Sequence, residues 1–279
     1  MFGTNEITGQ RAFKDAPMNS LLVTSIFYTL QGEGPFTGRP AVFVRLARCN
    51  LACSFCDTAF DKGEWMTFDE IERYALTAVF GFAPSAAGDQ VVLVVTGGEP
   101  TLQANLAGFL LHQSSKWAEI QVESNGLIER LLPLNTTLVV SPKCTEPGQA
   151  GPVKGRYLRP LEAVLSRADC LKFVVDSNPL NAYHMPPDWA YEWMREQEKP
   201  VYVSPMNCYQ EGRPLKLMTQ ANAQPGDLSA RNEGEAVSFW TPGLLDRTRN
   251  EANHHHAGEL CLKYGFRLSL QTHLYVGLS

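Results

Sequence analysis

The sequence predicts an α/β protein with a mostly parallel sheet, flanking helices and a functional site at the strand C-terminal edge. Short apolar runs rich in Val, Leu and Phe recur along the chain, as parallel strands buried on both faces require. Helical stretches separate them, which is the strand–helix alternation of α/β folds. The runs end in clusters of Gly, Ser, Asn, Glu or Lys that exceed what turns need. In such folds the loops after the strands gather at one edge and carry the site. The pattern is read as a partial, open TIM-like barrel, with an ordinary doubly wound sheet as the alternative.

The elements follow in order. Residues 41–46 (AVFVRL) form a strand leading into three clustered cysteines. Residues 91–95 (VVLVV) lead into Thr96-Gly97-Gly98-Glu99-Pro100, and 120–122 into Glu123-Ser124-Asn125-Gly126. Residues 138–140 lead into Ser141-Pro142-Lys143, 171–175 (LKFVV) into Asp176, and 201–203 into Ser204-Pro205-Met206-Asn207. The clearest helix starts at Thr67, where Thr67-Phe68-Asp69-Glu70 has the form of a capping box. Ile71, Tyr74, Ala75, Ala78 and Val79 then share one apolar face. Weaker helical patterns cover 161–168, 189–198 and 250–264. Connections between parallel strands are expected to be right-handed.

A chain of 279 residues suits one large domain or two small ones. We read a single domain over 21–279, preceded by a flexible extension over 1–20. Insertions near 144–157, rich in Gly and Pro, and near 210–235, polar and aperiodic, are expected to form loops or lids. The first twenty residues lack the basic-then-apolar order of a secretory signal, and no apolar run is long enough to span a bilayer. A cytoplasmic location without membrane attachment is therefore expected. The net charge of −5 gives no sign of a large basic surface, so direct nucleic-acid binding is disfavoured.

Three of the seven cysteines fall within Cys49-Asn50-Leu51-Ala52-Cys53-Ser54-Phe55-Cys56. Such clustering in a reducing compartment points to metal rather than disulfides. Thiolates hold iron–sulfur clusters. Three ligands on a four-iron cubane leave one iron open, which makes the cluster a reaction site. S-adenosylmethionine (SAM) can chelate that iron, and one-electron reduction then releases a 5′-deoxyadenosyl radical. Phe55 is a candidate wall for the adenine. The glycines of Thr96-Gly97-Gly98-Glu99-Pro100 let backbone approach a ligand closely. The competing reading is a zinc site with a distant fourth ligand, for which His254-His255-His256 is the possible partner, but no second pair of the usual spacing appears and that run reads better as a solvated helix face.

With these motifs the chain resembles radical SAM enzymes, and more narrowly the 7-carboxy-7-deazaguanine synthase family. The resemblance is carried by Leu30-Gln31-Gly32-Glu33-Gly34, Arg45-Leu46, Cys56-Asp57-Thr58, Thr96 to Pro100, Val140 to Lys143, and Arg267-Leu268-Ser269-Leu270-Gln271-Thr272-His273. It implies conversion of 6-carboxy-5,6,7,8-tetrahydropterin to 7-carboxy-7-deazaguanine with loss of ammonia. It further implies hydrogen abstraction from C6 of the pterin, SAM regenerated as a cofactor, and Mg²⁺ orienting the substrate.

The resemblance also implies roles for residues. Cys49, Cys53 and Cys56 would hold a [4Fe-4S] cluster and Thr58 the Mg²⁺. Leu30, Gln31, Gly32, Glu33, Arg45, Thr96, His273 and the carboxylate of Ser279 would bind substrate. Phe55, Cys56, Asp57, Gly98, Glu123, Ser141, Lys143, Ser204 and Asn207 would bind SAM, although the family often has Gln at the position of Ser204. His273 is read as standing on a strand. A flavodoxin- or ferredoxin-type reductant and a homodimer are expected on the same ground. The rival functions are a glycyl-radical activase, which gives no use to Arg45, Thr58 or the C-terminal motif, and a zinc-binding module without activity.

Overall fold

Nine strands form one sheet in the order β3-β1-β2-β4-β5-β6-β7-β8-β9 in the computed structural model, which describes residues 7–56, 60–83, 90–145, 156–210 and 244–278. The strands are β1 (Ser20–Leu30), β2 (Pro40–Leu46), β3 (Glu64–Thr67), β4 (Val92–Gly97), β5 (Glu119–Ser124), β6 (Thr136–Val140), β7 (Cys170–Val175), β8 (Val201–Pro205) and β9 (Arg267–Leu268). β1 runs antiparallel to both β2 and β3, and every pairing from β2–β4 to β8–β9 is parallel. The helices are α1 (Phe68–Phe82), α2 (Leu106–Gln113), α3 (Glu162–Arg167), α4 (Asp188–Gln197), α5 (Arg247–Tyr264) and α6 (Thr272–Tyr275).

The two faces of the sheet are chemically distinct, and strand alternation explains why. Val42, Val44, Leu46, Leu93, Val95, Val122, Leu171, Phe173, Val175 and Val203 face outward into the main core. There they meet Ile71, Ala75 and Val79 of α1, Phe109 and Leu110 of α2, Leu165 of α3, Trp193 of α4 and Leu260 of α5. The inner face carries smaller clusters at the strand starts, Ala41–Val92–Val94 and Val139–Cys170–Tyr202. Further along the same faces stand Arg45, Thr96, Glu123, Ser141, Lys172 and Ser204, all lining one cavity. The inside of the open barrel is thus apolar at the bottom and polar at the strand C-termini.

All six anticipated strands and all four anticipated helices are present. α1 has the expected capping box, with Thr67 Oγ1 accepting from Glu70 N–H and Glu70 accepting from Thr67 N–H. α5 begins earlier than its periodicity suggests because Asp246 accepts from Arg249 N–H. α4 ends where Glu198 turns left-handed (φ 53°). The sequence reading lacks β1, β3, α2, β9 and α6. β1 is eleven residues long, but its burial follows no period of two. His273 lies on α6 and not on a strand.

Residues 7–19 are more firmly attached than a flexible extension. Thr8 N–H donates to Cys49 O (2.7 Å), Ile7 bridges Cys49, and Phe13 is buried against Leu102 and Ile128. The apolar Phe13 side chain explains the attachment. The expected insertion near 210–235 lies outside the described residues, apart from Gln210. The one near 144–157 is described only at its ends, where Cys144 bridges Tyr157.

Candidate active site at the strand ends

A cavity of about 250 Å³ opens at the C-terminal edge of the parallel strands. It gathers Gln31, Glu33, Arg45, Cys49, Cys53, Phe55, Cys56, Thr96, Gly98, Glu123, Ser141, Lys143, Ser204, Asn207 and His273. Fifteen residues singled out from the sequence therefore share one chamber. Leu30 and Gly32 sit beside it without lining it, and Asp57, Thr58 and Ser279 lie outside the described residues.

The cysteine loop is held from below. Arg48, immediately before Cys49, adopts the left-handed conformation (φ 76°) uncommon for a side-chain-bearing residue. Its carbonyl accepts from Glu99 N–H (2.8 Å) and its N–H donates to Phe60 O (2.7 Å). A Cβ on Gly98 would sit 1.9 Å from Arg48 O, and one on Gly97 (φ +130°) would sit 2.2 Å from Leu46 O. The two glycines thus let the loop after β4 lie directly against the cysteine loop. Asn125 Nδ2 donates to Asn50 Oδ1 (2.7 Å), tying the loop after β5 to the same segment. Glu99, 1% exposed, accepts from Thr101, Ser124 Oγ and Asn125 N–H, so its carboxylate is spent on bracing its own loop and the end of β5.

The donor set fits a cluster with one open iron. Cys49, Cys53 and Cys56 pack together with Leu51, Phe60, Leu127 and Leu158. Leu51 N–H donates to Cys49 Sγ (3.4 Å), the kind of bond that tunes cluster sulfurs. Burial, reinforced by Glu99, pushes the Cys49 thiol up, so an unmetallated thiolate is disfavoured there and coordination would supply the driving force. No fourth cysteine among the described residues joins them. Cys144 packs with Tyr183 and Met206, Cys170 lies in the lower inner layer, Cys208 faces Met206 O, and Cys261 is on α5.

The residues expected around SAM line one side. Lys143 Nζ donates to Ser141 O (2.7 Å) and Ser141 Oγ (2.6 Å). Burial lowers this ammonium from its ordinary value, opposed by Cys53 and assisted by Lys172. Phe55 meets Tyr183 edge to face at 4.8 Å, and Tyr183 is fixed by Cys144 N–H. Asn207 donates to Gln271. Ser204 Oγ is buried and has no hydrogen-bond partner among the described residues, so a ligand hydrogen bond would satisfy it.

The opposite side is a polar network. Glu123 Oε1 accepts from Gln31 Nε2 (3.2 Å) and Gln121 Nε2 (2.9 Å). Its Oε2 accepts from Thr96 Oγ1 (3.3 Å) and lies 3.6 Å from Lys172 Nζ. Lys172 also donates to Glu33 Oε2 at 2.9 Å. Glu123, expected at SAM, bonds with Gln31 and Thr96, two of the residues expected at substrate. Arg45 lies over Phe27 (5.4 Å to the ring centroid), which stacks on Phe43. The C-terminal segment closes this side, with Thr272 N–H donating to Gly32 O and Gly34 N–H to Ser269 Oγ.

Lys172, Glu99, Asn125 and Gln271 are cavity residues to which the sequence reading gave no role. A lysine inside the run LKFVV was the available signal, because lysine is almost never buried unless paired. Asp69, Glu72 and His112 form a separate group with metal-ligand spacing. None of the three lines the cavity, and Lys116 already bonds Glu72.

Comparison with known proteins agrees with this geometry. The Radical SAM superfamily description matches residues 44–149, which include the cysteine loop and β4. The 7-carboxy-7-deazaguanine synthase of Rickettsia prowazekii (strain Madrid E) is 31% identical over 282 residues, covering 100% of this chain and 96% of the relative. That of Rhodospirillum rubrum is 30% identical over 275 residues, covering 98% and 97%. The crystal structure of QueE from Escherichia coli has a TM-score of 0.52 at 22% identity, covers 95% of this chain and 99% of that one, and supports the fold. A three-cysteine loop at the mouth of a parallel open barrel, matched by relatives along the whole chain, means that the chain belongs to the 7-carboxy-7-deazaguanine synthase family of the radical SAM superfamily.

Proposed function

We infer that this chain is a carbon–nitrogen lyase that converts 6-carboxy-5,6,7,8-tetrahydropterin to 7-carboxy-7-deazaguanine with loss of ammonia. The observation that carries the reading is the shared chamber. The three-cysteine loop and the polar network of Gln31, Glu33, Thr96, Glu123 and Lys172 line the same cavity. A cluster bound by three thiolates leaves one iron for SAM, whose reductive cleavage supplies a 5′-deoxyadenosyl radical.

The protein's part is placement. Ser141, Lys143, Phe55, Ser204 and Asn207 form the SAM side. Gln31, Glu33, Arg45, Thr96 and His273 form the substrate side, where Arg45 supplies a fork of donors suited to a carboxylate. Amide, carboxylate and hydroxyl groups converging in a small chamber suit a nitrogen-rich heterocycle better than a protein backbone, which disfavours a glycyl-radical activase. Mg²⁺ at Thr58 and the carboxylate of Ser279 belong to the same proposal and lie outside the described residues. A flavodoxin- or ferredoxin-type reductant, a cytoplasmic location and a homodimer complete it. Among the described residues no helix is long and apolar enough to cross a membrane.

The test is anaerobic incubation of reduced, iron-loaded protein with the carboxytetrahydropterin, SAM and Mg²⁺, followed by mass detection of product. Formation of 7-carboxy-7-deazaguanine supports the reading. Its absence from protein with a full cluster overturns it.

A further inference from the structure

We propose that Lys172 is a positioning residue: ion-paired with Glu123 in the cavity floor, it holds Glu33 by a hydrogen bond as an oriented anion for the N–H-bearing edge of the substrate. The nature of the ligand rests on the ring-contraction reading, but the clamp itself rests on geometry alone.

Lys172 is the inward-facing residue of β7, between Leu171 and Phe173, which enter the outer core. It is 5% exposed, and its Nζ lies 2.9 Å from Glu33 Oε2 and 3.6 Å from Glu123 Oε2. The two carboxylates differ in kind. Glu123 stands on a strand, and its oxygens meet Gln31, Gln121, Thr96 and Lys172. It is committed to the protein and serves as the anchor. Glu33 belongs to the loop between β1 and β2 and lines the cavity. Lys172 therefore transfers the fixed position of a strand to a carboxylate on a loop.

The charged and titratable surroundings support this division. Glu33 faces Lys172 from the β1–β2 loop, Glu123 from β5 and Cys170 from its own strand, while Lys143 after β6 is the next cation. Tyr202 is its register partner on β8, and Arg45 and His273 share the cavity. Burial would lower the Lys172 ammonium, but Glu123 and then Glu33 outweigh it and hold it above its ordinary value. Without this cation the two carboxylates lose their shared counter-charge, which favours protonation of one of them. A protonated carboxyl offers a donor where the substrate N–H needs an acceptor.

The experiment compares iron-loaded wild type, Lys172→Met and Lys172→Arg. KM and kcat for the carboxytetrahydropterin are measured across neutral pH, alongside SAM affinity and iron content. Infrared spectra of the same proteins without substrate report carboxyl protonation. Lys172→Met should raise KM roughly tenfold or more, the size of a lost charge-assisted hydrogen bond, with a smaller effect on kcat. Its KM should fall as pH rises, because ionisation restores the acceptor, while the wild-type KM stays flat. Lys172→Arg should recover most of the loss. The Met variant should show a protonated-carboxyl band that disappears when Glu33→Gln is added.

An unchanged, pH-independent KM in Lys172→Met, or no such band, overturns the clamp. Parallel loss of iron and SAM binding in both variants overturns it in favour of a purely structural lysine. A wild type that makes no deazaguanine while the Met variant shows the band overturns the ligand assignment and leaves the clamp standing.

Discussion

His273 occupies the space that a side chain on Gly32 would need: a Cβ there would lie 2.0 Å from His273 Nδ1. The contact joins the loop between β1 and β2 to α6, near the opposite end of the sheet. Thr272 N–H donates to Gly32 O across the same junction (3.2 Å). The two ends of the open barrel are thus joined at the substrate side by loop contacts rather than strand pairing.

Gly32→Ala should therefore displace His273 and the C-terminal segment. Misplacement of a positioning group by about 1 Å can cost on the order of a hundredfold in rate, and a loss of that size in kcat/KM is expected. Iron content and SAM affinity should stay at wild-type values, because the contacts seen for Gly32 among the described residues are with Thr272 and His273. Steady-state kinetics with iron analysis checks both parts.

Gly98→Ala should act on the cluster instead. The new methyl would collide with Arg48 O at 1.9 Å, and backbone cannot yield as a flexible side chain can. Iron and sulfide per chain should fall sharply, with an overpacking cost of about 1–3 kcal/mol in stability. Gly258→Ala on α5 is the control, because nothing lies within 4 Å of its Cβ position. There alanine should leave iron unchanged and stabilise the helix by up to about 1 kcal/mol.

The capping box gives a prediction confined to stability. Glu70 is held below its ordinary value first by Thr67 N–H and then by the Thr67 hydroxyl. Its folded pKa is depressed, so its contribution is present above the unfolded value of 4.5 and lost as pH falls through the folded one. Thr67→Ala should cost about 1 kcal/mol at neutral pH, as loss of a helix cap does, and leave kcat unchanged. Denaturant titration should show the difference narrowing as Glu70 protonates.

Which parts of this structure could be read from the sequence follows from which signals are local. The strands now seen as β2 and β4 to β8 were legible because each is a continuous Val- or Leu-rich run, the mark of burial on both faces. β1 escaped because Thr24, Ser25 and Thr29 interrupt it and its antiparallel partners impose no regular period. α6 is a single turn, too short for any periodicity, so His273 was placed on a strand. The cavity residues read best were those in loops with unusual composition. Lys172 was hidden inside LKFVV, where only strand parity reveals that it points inward while its neighbours point out. The Gly97-Gly98 pair was expected to approach a ligand, and its first demand proves to be contact with Leu46 and Arg48 backbone. Such a requirement depends on residues some fifty positions earlier in the chain and leaves no local trace.

The measurement that tests the central claim most directly is the ratio of product formed to SAM consumed by reduced, iron-loaded protein given the carboxytetrahydropterin and Mg²⁺. The account predicts many molecules of 7-carboxy-7-deazaguanine for each SAM lost, because SAM serves as a cofactor. Accumulation of 5′-deoxyadenosine without deazaguanine would contradict it.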